Sequence, residues 1–414
     1  MRATEHGETL PLAYASSVLS MPTSPGSRRG LYVVARYASF RPAFMFPLAM
    51  RACTLVTQPV RNRIRKNIPR IAGWLIVAAF VLVAVFADFL APYDYRAQSR
   101  GEPSAPASSV HFRDDAGNFG PFVYGRRLVD ALRLTYVEDR SVEYPVRFLV
   151  REDQYTLLGL VETDLHLLGV EGSVRINLLG TDMLGRDRFS RLMHAIQFSL
   201  IVCSLGVVLA CGIGIFIGIV SGYASRGVDT VLMGATDAML ALPTLILILA
   251  ARAAFPLELP PMRAAFLLLL IFALTGWAEM ARLTRGLVMS VREREFVTAA
   301  VATGVTQARI LFRHILPNVA RPLITQALLM LPAFLLAEVT LSYLGVGVQE
   351  PEASLGNMLT AASDLNQLRS QPIAVLSPAI VIFVFVVAIR LLREERPAVS
   401  VASLPEPEAA VHSR

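Results

Sequence analysis

Six stretches of this chain are long and apolar enough to cross a bilayer, and no other feature restricts its fold as tightly. Lipid offers no partner to a bare backbone N–H or C=O, so each crossing must be a helix of roughly 20 apolar residues. Ile71 to Leu90 is the first, followed by Phe198 to Tyr223, Val231 to Ala251, 264 to about 281, Leu323 to Tyr343, and about Ile373 to Leu392. Composition agrees: 54% of the 414 residues are hydrophobic and 17% charged, too apolar for an ordinary soluble domain. In the second stretch Gly206, Gly212, Gly214 and Gly218 fall at spacings that favour close helix packing.

Charge orients these spans. Arg61, Arg63, Arg65, Lys66 and Arg70 precede the first, which places its start in the cytoplasm; a signal peptide is the alternative, but the run lies far from the N-terminus. Arg282, Arg285, Arg292, Arg294, Arg309 and Arg313 crowd one connection, while the short loops on the other side hold only Arg252, Arg263 and Arg369. Arg390, Arg393 and Arg396 follow the last span. Both termini and the 285–320 connection are therefore expected inside. The net charge of +7 lies beside apolar spans and is not gathered in a soluble domain, so it speaks for membrane orientation and not for nucleic acid.

Other classes are restricted too. Lys66 is the only lysine, and it is followed by Asn67, so the chain cannot carry the phosphate-binding GxxxxGK[ST] motif. Cys53, Cys203 and Cys211 show no metal-ligand spacing and read as small core residues. Residues 1–50 read either as a disordered cytoplasmic tail or as sequence upstream of a later start at Met45 or Met50. Residues 92–176 form a polar insert in which Arg147–Arg151 and Tyr155–Leu158 alternate as strands do, predicting a small β-rich subdomain outside the cytoplasm. His111, Asp114 and Asp115 within it read as solvated loop residues rather than metal ligands.

The basic connection has its own pattern. Residues 293–303 lack Gly and Pro and predict a helix, which Gly304 stops because glycine accepts positive φ. Thr306 is placed to cap a second helix, which Pro317 is expected to end. In that helix Ile310, Leu311 and Ile315 share one face, and Arg309 and Arg313 share another. Read physically, the pair could be a surface amphipathic helix, a DNA-reading helix-turn-helix, an ordinary loop, or a docking element between spans.

This stretch resembles the "EAA" loop of ABC-importer permeases, through Ala299-Ala300, Gly304 and Leu316-Pro317. Thr298 stands where the family usually has Glu, and His314 where many members have Ile. A second stretch, Gly180-Thr181-Asp182-Met183-Leu184-Gly185-Arg186-Asp187, resembles the segment before the second span in the dipeptide/oligopeptide/nickel branch. Physically, Gly180 and Gly185 predict tight turns, Asp182 or Asp187 a helix cap, and Arg186 and Arg191 its ionic partners.

The resemblance implies an all-α polytopic membrane protein with six transmembrane helices of the type I ABC importer permease fold, carrying a small β-rich periplasmic insert. It implies a cytoplasmic tail (1–70), a first transmembrane helix (71–91), the periplasmic insert (92–176), a permease domain (177–392, core about 196–392) with a coupling loop (285–320), and a cytoplasmic C-terminal tail (393–414). It further implies a non-catalytic subunit of the bacterial inner membrane that binds no cofactor or metal itself. ATP and Mg would bind two partner ATPase subunits, with a second, different permease chain and a periplasmic or lipid-anchored solute-binding protein completing the assembly. Peptides or a related small solute would be the cargo. On this reading Glu295, Thr298, Ala299, Ala300, Gly304, Arg309, Arg313, Leu316 and Pro317 meet the ATPase. Asp237, Glu338 and Glu279 are intramembrane acids; the first two fall in recurring motifs of the branch and are pathway-lining candidates. The rival reading, a secondary ion-coupled transporter, would use Asp237 and Glu338 as its ion sites.

Overall fold

The computed structural model of the protein describes residues 68–113, 119–157, 161–170, 172, 174–256 and 259–392. In chain order the helices are α1 (Ile68–Val85), α2 (Ala87–Leu90), α3 (Arg188–Tyr223), α4 (Arg226–Ala241), α5 (Thr244–Ala253), α6 (Pro261–Arg292), α7 (Glu295–Ala302) and α8 (Gln307–Ile310). A π segment, Leu311–Ile315, leads into α9 (Leu316–Tyr343). Then come α10 (Leu355–Leu359), a 3-10 turn, α11 (Leu365–Ser370) and α12 (Pro372–Leu392). Residues 1–67 and 393–414, with the tail, Cys53 and start-site expectations, lie outside the described residues, as do Asp114 and Asp115.

Among the described residues five helices are long and apolar enough to cross a membrane: α1, α3, α6, the continuous run Gln307–Tyr343, and α12. The sixth expected span, Val231 to Ala251, is not straight. It is the pair α4 and α5, bent by 89°. Pro243 has no N–H to continue the helix and forces Leu242 into extended backbone (φ −85°, ψ 133°). The first span is shorter than Ile71 to Leu90: Phe86 leaves helical geometry, and Asp88 on α2 is turned to meet His194 at 2.8 Å. Pro317 does not end its helix, contrary to expectation. The π segment just before it has i→i+5 spacing, which widens the turn where the ring would otherwise meet the carbonyl of Arg313, and the helix runs on.

Glycine sets the centre of the bundle. A Cβ on Gly214 would lie 2.5 Å from the Trp277 carbonyl oxygen, and one on Gly218 2.5 Å from Thr284 Cβ. Gly222 faces Val288 and Gly206 faces Phe272, so α3 and α6 run parallel in close contact. Gly212 faces open space and has no part in this. α9 closes the group, with Phe334 stacked on Phe272 at 4.6 Å between ring centroids. α1 packs on α12 through Gly73 and the Phe80–Phe385 edge contact. Cys203 is buried in this core, and Cys211 is partly buried.

The insert folds as a four-stranded antiparallel sheet: β1 (His111–Arg113), β2 (Phe119–Asp130), β3 (Thr135–Leu157) and β4 (Val161–Val170). β3 joins two ribbons. Its first part pairs with β2 as far as Pro145, and from Val146 onward it pairs with β4. Tyr93, Val123, Val146, Val170 and Ile176 form a small core of their own.

Candidate functional site

Two groups of predicted residues sit at opposite ends of the bundle, because α3 and α6 run parallel. At the start of α3, Gly180 (φ 72°) and Gly185 (φ 74°) make the expected turns. Side chains there would strike the Ala105 and Ser99 carbonyl oxygens, so the turns hold the 99–106 strap. Thr181 reinforces it, with its Oγ1 accepting from the Ala105 N–H at 2.7 Å. Asp182 accepts from the N–H of Leu184 and of Arg186 and pairs with Arg186 Nε at 2.6 Å. Of the two aspartates, Asp187 is the helix cap, accepting from the Ser190 N–H at 2.7 Å and the Ser190 hydroxyl at 2.8 Å.

Three buried arginines in this segment, Arg186, Arg188 and Arg191, exceed the charge of Asp182 and Asp187. The balance comes from Glu350, which takes Arg191 at 3.0 Å and also Arg186. Sequence spacing could not place Glu350 here. The excess of arginine was the only sign that a distant acid was needed. Arg188 donates instead to the Thr181 carbonyl and to Gln367. A cavity of about 290 Å³ lies beside these groups.

Burial pushes the Asp187 carboxyl up to about 6 from its ordinary 3.8. The unfolded chain restores the ordinary value, so the folded protein holds an extra proton between the two. The stability this carboxyl contributes is present in full below about pH 4 and lost as pH rises through about 6. Thermal melts across that window are expected to fall with rising pH. Asp187→Asn, which keeps a capping oxygen, should remove that part of the slope.

At the other end, α7 and α8 are joined at Gly304 (φ 79°). The Gly304 N–H bonds the Val301 carbonyl at 3.0 Å and the Val305 N–H bonds that of Ala300 at 3.2 Å, the paired closure of a Schellman motif. Thr306 occupies the N-cap position of α8 as expected, but its side chain makes no capping bond. Val297, Ile310 and Ile315 are buried beneath the pair. Phe296, Val301 and Phe312 stay exposed, as do Glu295, Ala299, Arg309, Arg313 and Pro317, while Ala300 and Leu316 are half-buried. The Thr298 hydroxyl turns back to the Glu295 carbonyl at 2.9 Å and adds no charge to the outer face.

Just inside this surface, α4 is tied to α6. Arg285 grips Asp229 with two bonds of 2.6 Å, and Ser221 adds a third donor to the same carboxylate. One α6 turn nearer the middle of the bundle, Arg282 pairs with Asp237 at 3.3 Å, both exposed. Glu338 is fully buried; it accepts from Ser199 at 2.9 Å and Ser342 at 2.8 Å. Neither Asp237 nor Glu338 lines the 440 Å³ cavity between the α4–α5 bend, α6 and α9; Glu279 and Gln326 do. Among the described residues no group of His, Cys, Asp and Glu could hold a metal ion.

The family profile "Binding-protein-dependent transport system inner membrane component" matches residues 214–394, and "N-terminal TM domain of oligopeptide transport permease C" matches residues 57–106. An oligopeptide transport system permease protein OppC of Mycobacterium tuberculosis (strain H37Rv) is 39% identical over 181 residues, 44% of this chain and 61% of that protein. The chain thus spans less than two thirds of that relative's length. A putative peptide permease protein of Brucella suis biovar 1 is 35% identical over 213 residues, 51% of this chain and 68% of that one. A solved amino acid ABC transporter overlaps 49% of this chain and 89% of its own at 17% identity, with a TM-score of 0.36.

Proposed function

The chain belongs to the binding-protein-dependent transport system inner membrane components, the permeases of peptide-type ABC importers, and from that premise we propose that it is one half of a membrane pathway through which ATP hydrolysis on partner subunits drives peptide uptake. The observation that carries this is the α7–α8 pair. Its inner face is held by Val297, Ile310 and Ile315, and its outer face offers Phe296, Phe312, Arg309 and Arg313. Such a surface suits a soluble partner that moves, because a rigid element packed into it carries displacement back to the spans. Residues 285–320 then face the cytoplasm with both termini, and the 92–176 insert lies on the far side. Relatives named as oligopeptide and peptide permeases support peptides as cargo.

The route inward is the Asp229–Arg285 clamp, which joins α6 just ahead of the loop to α4, and through α4 to the bend beside the cavity. Asp229→Arg is expected to slow uptake about tenfold, the rate equivalent of ~1.4 kcal/mol. The exchanged pair Asp229→Arg/Arg285→Asp should recover most of it. ATP-driven uptake into liposomes reads both variants.

The whole reading is tested by tagging the chain, extracting it gently from native membranes and identifying what co-purifies. A stoichiometric subunit with GxxxxGK[ST] and a second multi-span permease are expected. A chain that emerges alone and transports on an ion gradient overturns the reading in favour of an ion-coupled carrier.

A further inference from the structure

Resting on the permease reading, we propose that Glu279 is the carboxylate that recognises a positively charged group on the cargo, an ammonium such as a peptide N-terminus. The cavity it lines holds about 440 Å³, within the size of pockets that take small molecules. Its walls are mainly apolar, with Met239, Leu245, Leu329, Met330 and Phe334 among them, and Gln326 and three threonines add neutral polar groups. Glu279 is the one ionisable side chain in that lining.

Among the described residues its one side-chain bond comes from Gln326 Nε2, at 3.2 Å, and it has no ion-pair partner. The other acids of this region are satisfied: Asp237 has Arg282, Asp229 has Arg285, and Glu338 is enclosed by hydroxyls. Arg282 sits three residues along the same helix and is committed to Asp237. Glu279 is exposed to this cavity, open to an incoming cation, and an acid within a membrane span is a functional site by default. Gln326 holds one oxygen in place and leaves the other free to accept from an ammonium, while the Met, Leu and Phe walls receive the apolar remainder. A dianionic cargo would meet only repulsion here. The bend at Leu242–Pro243 borders the same space, so movement of α4 would open or close the cavity around the bound group.

The test uses the assembled transporter in nanodiscs without binding protein, with trialanine and N-acetyl-trialanine as probes and Trp277, two residues from Glu279, as the fluorescent reporter. Wild type is expected to bind trialanine about tenfold or more tightly than the acetylated peptide, ~1.4 kcal/mol. Glu279→Gln should bring the two within about threefold by weakening trialanine alone, and Glu279→Asp should keep the preference. Both variants should retain the second permease. A Glu279→Gln variant that keeps the preference overturns the proposal. So does one that weakens both probes equally, or one that loses the second permease and thereby marks Glu279 as an interface residue. Absence of any ATP-driven uptake by wild-type liposomes would instead overturn the permease reading itself.

Discussion

Gly304→Ile should leave the chain inserted at normal levels, abolish uptake, and leave ATP hydrolysis by the assembled complex running. The backbone there has φ 79°, a region that costs a side-chain-bearing residue about 1–2 kcal/mol and a β-branched one more. No atom lies within 4 Å of where a Cβ would stand, so the penalty is conformational and leaves packing untouched. The chain relieves it by giving up positive φ, which breaks the two bonds that close α7 against α8 and changes the angle between them. Buried anchors on both sides keep the spans folded. Gly304→Asn is the control, because asparagine tolerates this region, and it should keep most of the uptake. Normal transport by the isoleucine variant would remove the coupling role from this loop.

The second large effect is expected from Gly214→Leu, through folding and not through coupling. A Cβ at this position would lie 2.5 Å from a carbonyl oxygen of α6 and 2.6 Å from Met280 Cβ. Backbone cannot step aside as a flexible side-chain end can, so the two longest elements must separate along their shared seam. Overpacking of this kind costs typically about 1–3 kcal/mol and more where backbone must move. The amount of protein in the membrane should fall severalfold at steady state, and the melting temperature of what remains should drop. Gly212→Leu, on the same helix but facing open space, is the matched control and should be silent. If both variants behave alike, close α3–α6 packing is not what the glycines provide.

Much of this was legible in the residues. Apolar runs located the spans, because lipid leaves the backbone few alternatives. Gly304 announced its turn, since little else accepts positive φ there. Gly180 and Gly185 did the same, and Asp187 was one of two candidates for its cap. What escaped reading were features made by two elements at once. Pro243 was visible, but whether a proline bends a span or merely kinks it depends on neighbouring helices. Pro317 reads as a stop because a π turn that absorbs it has no sequence signature. Glu350 lies 159 residues from Arg191, and nothing local ties them. β2 was missed because Phe119–Asp130 contains two glycines and a proline and lacks clean alternation.

The insert has a narrow doorway. The Ser108 N–H bonds the Asn177 carbonyl at 2.9 Å, and the Asn177 N–H bonds the Ser108 hydroxyl at 3.0 Å, so the chain departs and returns at one point. Neither family profile reaches residues 107–213, which include the whole sheet. A segment whose two ends already touch could be bridged by a short turn from Ser108 to Asn177; the arginine cluster would keep its bonds, and the strap would lose the Tyr136 hydroxyl on the Pro103 carbonyl and the Arg126 guanidinium on Glu102 and the Pro106 carbonyl. A different passenger joined at that doorway, a reporter or an affinity module, would also have to stand in for His166, whose ring bonds the Ala91 carbonyl at 2.6 Å, and for the sheet side chains packed on Tyr93.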